Sequence, residues 1–290
     1  HAAVIPEMCI ACGRCVEVCP VKAKQVRNDT ELVRQMLSEE RPVYLSLAPS
    51  WISEFQNTTP SRMIQALKQL GFAGVSETAL GAQLVSANVS GELDGGKADL
   101  LLSSACPAAV DYICKYLPNL SEKITKVSSP LLAHCRLLRD RFGNEIRVVF
   151  AGPCIAKKNE ADRHPELLDA ALTYPELKQL FREANLSPEQ FAEDPAADFV
   201  PERAEEGARY PIEGGMNDTI RFQTRNSRIH YATLTGCRNF KIALAGLDSL
   251  QTEESVFVEL LACQGGCVHG PCTEHSSPGL LERLRVLCGA

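Results

Sequence analysis

Phe257–Cys272 reads FVELLACQGGCVHGPC. Its leading part, Val256 to Ala262, is an apolar run with the length and branching of a short buried strand. The run delivers Cys263, and past Gly265 and Gly266 comes Cys267. Paired glycines in that gap let the backbone turn sharply and approach whatever the two thiolates hold. Two other stretches repeat the design. Ala98 to Ser104 (ADLLLSS) reads as a buried strand followed by Cys106-Pro107. Ile146 to Gly152 (IRVVFAG) reads as another, followed by Pro153-Cys154, with Lys157, Lys158 and Glu160 behind it. Cys106, Cys154, Cys263 and Cys267 therefore fall at the carboxyl ends of three strands predicted to be parallel, where open α/β sheets hold their ligands. Four thiolates delivered to such a place imply a metal.

Working outward, helical and strand patterns alternate from Glu31 onward. Helices are predicted over 31–40, 60–70, 76–88, 107–116, 130–142, 175–184 and 280–287, and from about Arg238. Further strands are predicted over 43–47 and 229–234, the latter ending at Gly236-Cys237. Pro60, with Thr59 and Ser61 beside it, is a helix-start signal. The alternation predicts an α/β fold with a mainly parallel sheet core covered by helices. Residues 186–206 are acidic and proline-bearing, and read as a surface excursion. Gly214-Gly215 precedes a helix-compatible segment.

The totals narrow the function classes. A net charge of −6 and the lack of a basic stripe speak against nucleic acid as a partner. No apolar run approaches the roughly 18 residues of a membrane span, and the first residues lack the basic start and long apolar core of a secretory signal. Thirteen cysteines, an odd number in a chain unlike a small disulfide-stapled scaffold, point to reduced thiols, a cytoplasmic compartment and metal or cluster ligation.

Residues 8–20, MCIACGRCVEVCP, place Cys9, Cys12, Cys15 and Cys19-Pro20 in the spacing C-x2-C-x2-C-x3-C-P. That is the ferredoxin run for a [4Fe–4S] cluster. A zinc site is the plainer reading, but zinc sites usually come as two separated CxxC pairs. In two-cluster ferredoxins the fourth cysteine of each run ligates the other cluster, and only one run is present. The expectation is that residues 1–7 form a strand midway through a longer ferredoxin unit. Cys19 then belongs to a second cluster, or the cluster of Cys9, Cys12 and Cys15 takes a fourth ligand from elsewhere. The predicted domains are a ferredoxin-like segment over 1–36 and a main domain over 37–290.

SSACP (Ser103–Pro107), GPCIAKKNEA (Gly152–Ala161) and FVELLACQGGC resemble, in order and spacing, the three signature segments of [FeFe]-hydrogenases. The resemblance spans nearly the whole chain and implies a two-lobed domain. It implies that Cys106, Cys154, Cys263 and Cys267 hold the [4Fe–4S] part of an H-cluster. Cys267 would bridge to a two-iron unit carrying CO, cyanide and a dithiolate. Lys157 would donate to an iron-bound cyanide, Ala48-Pro49-Ser50 would line another, and Pro153, Gly265 and Gly266 would shape the cofactor site. H2 and protons, a redox partner or signalling domain, and hydrogenase maturation proteins are the implied partners.

Departures from the family are equally informative. Its hydrogen-producing members read TSCCP in the first segment, where the first cysteine shuttles protons; here that position is Ala105. The stretch matching their acid-bearing helix, GAQLVSANV (Gly81–Val89), holds no acid. Gly152 and Leu261 stand where methionines are usual, and the tail after Cys267 has become His269-Gly270-Pro271-Cys272. This pattern resembles the sensory hydrogenases and predicts slow reversible H2 chemistry used for H2 or redox sensing. The alternative is a hydrogenase-like iron–sulfur assembly or scaffold protein holding cubanes without a two-iron unit. Among the remaining cysteines, Cys114 and Cys135 fall at apolar helical spacing and are predicted to pack in the core. Cys272 could approach the main site as a substitute proton donor, His269 reads as a loop residue, and position alone does not separate Cys237 from the four site cysteines.

Overall fold

The structure, a computed structural model, describes residues 3–96, 99–274 and 279–289. Among these residues seven strands form: β1 (Val43–Leu47), β2 (Gly74–Glu77), β3 (Leu100–Leu102), β4 (Arg147–Gly152), β5 (Ala170–Thr173), β6 (Ile229–Thr235) and β7 (Ser255–Leu261). They divide into a four-stranded sheet of order β2-β1-β4-β5 and a three-stranded sheet of order β3-β7-β6. Every pairing is parallel.

The first sheet is covered on both faces, so its strands need apolar residues at successive positions. Within β4 the side chains alternate between two cores. Val149 and Ala151 join Leu45, Leu47, Met63 and Leu67 on one side. Val148 and Phe150 join Leu131, Cys135 and Leu138 on the other. In the second sheet β7 is central, its Phe257 and Leu260 buried, while β6 is an edge with half-exposed residues. The strands that precede the cysteines are thus split: β3 and β7 lie in one sheet and β4 in the other. No helix among the described residues is long and apolar enough to cross a membrane.

Several local expectations are corrected. Ser76 and Glu77 end β2, paired with Ser46 and Leu47 of β1, and the helix runs from Thr78 to Asp94. Strands of four residues such as β2 and β5 carry too little periodicity to stand out beside a helix. His1, Ala2 and Ala98 lie outside the described residues. Within 3–7 the expected strand does not form; the chain turns at Pro6–Met8, and a strand requires a ladder partner that the described residues do not supply there. The excursion over 186–206 is largely on the surface, yet Ala197 and Phe199 are buried in the first core. Cys135 is buried as expected, whereas Cys114 is exposed on the helix Pro107–Tyr116.

The N-terminal segment is fastened to the main body by polar contacts. Lys115 Nζ donates to the Cys9 carbonyl at 2.6 Å, and Tyr116 Oη to the Met8 carbonyl at 2.6 Å. Further along, the buried Lys158 ammonium donates to Asp29 (2.7 Å), Glu176 (2.9 Å) and the Ala171 carbonyl (2.7 Å). A buried cation with three acceptors is satisfied; removing it would leave Glu176 without a cation and Asp29 with Arg27 alone.

Candidate metal centre

The carboxyl ends of β3, β4 and β7 enclose two adjoining cavities. The smaller, about 20 Å³, is bordered by Cys106, Cys154, Cys263 and Cys267. The larger, about 100 Å³, has almost entirely apolar walls and is bordered by Ala48, Pro49, Ser50, Ala105 and Lys157. Cys106, Pro153, Cys154 and Cys267 border both, so one wall of thiols separates the two spaces. Among the described residues no three His, Cys, Asp or Glu groups converge as they would on a single metal ion. The four thiols surround a space instead of meeting at a point.

Local sequence explains each placement. Cys106 stands at the N-cap of the helix that Pro107 opens. The hydroxyl of Ser103 accepts from Leu260 N at 2.9 Å and ties the end of β3 to β7. Gly265 and Gly266 have φ of +76° and +102°, a region costly for residues with a Cβ. A Cβ on Gly266 would also lie 2.4 Å from the Pro211 carbonyl oxygen. Gly152 has a packing reason as well: a Cβ there would meet the Phe150 ring at 2.3 Å and Ala48 at 2.9 Å. Phe150 borders the larger cavity, so its ring helps form the wall beside Gly152.

Electrostatics favour a positively charged occupant. Burial, followed by the neighbouring Cys106, pushes the Cys154 thiol up to about 11. Burial and then Cys267 raise Cys263, while burial and then Cys106 and Cys154 raise Cys267. These thiols resist ionising together in an apolar site, and metal cations supply the charge that relieves both penalties. The donor set therefore fits an iron–sulfur cubane. On the larger cavity, burial lowers Lys157, but the Glu160 carboxylate at 2.5 Å more than offsets it, and the amine is held charged; Ser129 Oγ lies 3.3 Å from it. Ser50 Oγ and Tyr174 Oη share a buried hydrogen bond of 2.6 Å, which holds the Ala48–Ser50 turn.

Glu259 is a wall residue that sequence reading passed over. It is buried in β7 and borders the larger cavity. Its carboxyl accepts from Met216 N at 3.2 Å and from Thr233 Oγ1 at 3.0 Å. Burial nevertheless pushes it up to about 7. A lone charged residue inside the apolar run VFVELLA was the available signal. Tyr210, also on this wall, pairs with Ser86 at 2.7 Å, within the acid-free stretch Gly81–Val89.

The remaining cysteines now separate. Cys272 is buried, its N–H donating to the Pro153 carbonyl, and borders neither cavity. A substitute-donor role facing the larger cavity is therefore not supported. His269 is buried and borders a third cavity, of about 360 Å³, together with Cys12, Cys237 and Cys263. In the N-terminal run only Cys12 reaches the smaller cavity. Cys9 Sγ accepts from Ala11 N, Cys19 Sγ from Ala23 N, and Cys15 is exposed. The neighbouring Cys237 side chain holds the Cys12 thiol below its usual range.

Residues 41–271 match the family described as iron only hydrogenase large subunit, C-terminal domain, and residues 2–25 match the 4Fe-4S binding domain. Iron hydrogenase 1 of Clostridium pasteurianum is 24% identical over 325 residues, covering 92% of this chain and 56% of that protein. The NADP-reducing hydrogenase subunit HndD of Solidesulfovibrio fructosivorans is 25% identical over 328 residues, covering 91% and 55%. The chain thus spans about half the length of these relatives. A cytosolic Fe-S cluster assembly factor NAR1 homolog of Schizosaccharomyces japonicus is 33% identical over 102 residues, 31% of this chain and 20% of that one. Among solved structures, a variant of the [FeFe]-hydrogenase HydA1 from Chlamydomonas reinhardtii aligns with a TM-score of 0.67 at 18% identity, covering 91% of this chain and 88% of that one. At that identity the likeness is one of fold.

Proposed function

We propose that this chain, which belongs to the iron-only hydrogenase large-subunit family, is an iron–sulfur redox protein carrying an H-cluster, whose slow reversible H2 oxidation and proton reduction serve H2 or redox sensing. The observation that carries the reading is the second, apolar cavity across the wall formed by Cys106, Cys154 and Cys267, with Lys157 on its border and its amine held charged by Glu160. A protein that only held cubanes would have no use for that space.

In this reading Cys106, Cys154, Cys263 and Cys267 would hold the cubane, and Cys267, which borders both cavities, would also face the two-iron unit. When bound, that unit supplies the site at which H2 is formed or split. The residues around it do the rest. Lys157 presents N–H donors and a charge that offsets an anionic group. Ala48, Pro49, Ser50 and Pro153 would line the cavity and exclude water, and the Gly265-Gly266 turn would carry Cys267 to it. Ala105 has no proton to give, so proton delivery at the first-segment position is absent. Glu259 is the carboxyl on the wall whose affinity for a proton is poised near neutrality, the property a general acid–base needs. The run at Cys9, Cys12, Cys15 and Cys19 would hold a [4Fe–4S] cluster, which when bound would supply electron transfer to a redox or signalling partner. Maturation proteins load the two-iron unit, and all thirteen cysteines being free suits a reducing, cytoplasmic setting.

Infrared spectroscopy after artificial maturation tests the proposal. Bands from bound CO and cyanide are expected in the matured protein and should change under H2. The second reading, an iron–sulfur assembly scaffold, is favoured by the stretch similar to the NAR1 homolog. A matured protein with full cubane content and no CO or cyanide bands would select the scaffold.

A further inference from the structure

We propose that Thr78 presents a hydrogen-bond donor to the occupant of the larger cavity, and that His134, fixed in one tautomer, holds the Thr78 hydroxyl in that sense through Ser46. The inference rests on the reading that this cavity holds the two-iron unit.

Thr78 borders the larger cavity and opens the helix Thr78–Asp94. Its Oγ1 lies 2.7 Å from Ser46 Oγ. Ser46 Oγ in turn lies 2.8 Å from His134 Nδ1, and His134 Nε2 lies 2.8 Å from Ser76 Oγ. Strand register builds this chain. Ser46 of β1 and Ser76 of β2 are cross-strand partners, so their side chains share one face of the sheet. The helix Pro130–Phe142 packs on that face, and its His134 spans both hydroxyls. Gly81 lets the next helix close over the ring: a Cβ there would lie 2.0 Å from the Pro130 carbonyl oxygen and 2.7 Å from His134 Cβ. Ser46, Ser76 and His134 are each 0% exposed, and Thr78 is 6% exposed.

Counting protons fixes the direction of the chain. Burial lowers His134 to about 3, so the imidazole is neutral: one ring nitrogen carries a proton and the other accepts. The three hydroxyls and the ring N–H bring one proton each to three hydrogen bonds, which leaves one proton over at an end. At the Ser76 end it would be sealed inside the protein, because among the described residues Ser76 Oγ has no partner besides His134. A buried donor without an acceptor is costly. At the Thr78 end the proton comes free on the cavity wall. Ser76 therefore donates to Nε2, Nδ1–H donates to Ser46, Ser46 donates to Thr78, and the Thr78 proton is offered to the cavity. Cyanide and thiolate groups bound to a metal accept hydrogen bonds and carry no proton of their own, so a donor is the sense such an occupant needs. Hydrogen bonds of this kind orient a metal's ligands and tune its electron density.

Two measurements on the full chain test this. Before the two-iron unit is loaded, NMR of isotope-labelled histidine should show His134, identified by the loss of its signals in His134→Gln, as the Nδ1–H tautomer. The Nε2–H tautomer overturns the proposal. After artificial maturation, infrared spectra and iron counts of wild type, Thr78→Val and Thr78→Ser are compared. All three should keep the same iron content and show CO and cyanide bands. The valine variant should have its CO bands moved to lower frequency, because losing the donor leaves more electron density on the iron. The serine variant, which keeps a hydroxyl, should stay near wild type. Bands lost from Thr78→Val and kept in Thr78→Ser would support the same contact. Unmoved CO bands in Thr78→Val, or equal shifts in both variants, overturn the proposal. Wild-type protein with full cubane iron and neither CO nor cyanide bands overturns the reading of the cavity, and the proposal with it.

Discussion

Replacing Glu259 by glutamine removes one titratable proton from the cavity wall and leaves the shape almost unchanged. The amide oxygen still accepts from Met216 N, and the Thr233 hydroxyl can rotate to accept from the new NH2 instead of donating. The magnitude follows from burial. The side chain is 1% exposed, so solvent screening does not dilute the effect. Burial raises the carboxyl from 4.5 to about 7. At 1.36 kcal/mol per pKa unit this is about 3 kcal/mol. For a carboxyl raised in the folded state the neutral form is the favoured one. Its contribution is therefore complete below pH 4.5 and is lost as pH rises through about 7. Urea denaturation of the cluster-free chain between pH 5 and pH 9 should show wild-type stability falling by about 3 kcal/mol relative to Glu259→Gln. With the cofactor loaded, the same variant should lose about 10²-fold or more in H2 turnover, the usual worth of a positioned acid or base. Infrared bands and iron content should be unchanged. Parallel stability profiles in the two proteins would refute the burial argument, and undiminished turnover would remove Glu259 from the proton route.

Serine at Cys106, Cys154, Cys263 or Cys267 should lower the iron content of the main domain, whereas Cys114→Ser, on an exposed helical face, should not; colorimetric iron counts decide it. Ala105→Cys should raise turnover only in part, since the stretch Gly81–Val89 carries no acid, and H2 evolution by the matured protein measures this. Lys158→Met should cost about 3 kcal/mol in chemical denaturation by leaving Glu176 without its buried cation and Asp29 with Arg27 alone. Gly152→Leu should disrupt the larger cavity through its clash with Phe150, read as loss of CO and cyanide bands on maturation with cubane iron retained.

What the sequence determined by itself was set by short-range chemistry. The spacing of Cys9 to Cys19, the apolar runs before Cys106, Cys154 and Cys263, and the Gly265-Gly266 turn are all local, and each was legible because neighbouring residues alone create the pattern. The gathering of Cys106, Cys154, Cys263 and Cys267 around one space followed from strand-end placement and from the family resemblance. Tertiary structure decided what depends on partners far away in the chain. Sharing the strands between two sheets is such a decision, because a buried strand such as IRVVFAG looks the same whichever neighbour completes its hydrogen bonds. β2 and β5 were hidden for a related reason: four residues carry almost no periodicity, and their identity comes from pairing with β1 and β4. The fate of single side chains was also decided in three dimensions. Cys114 and Cys135 share an apolar helical setting, yet one faces solvent and the other a core between helix and sheet. Glu259 became a near-neutral acid only because a closed apolar lobe raises the cost of its charge, and Cys237 met Cys12 only because the ladder to β7 runs on past the end of β6.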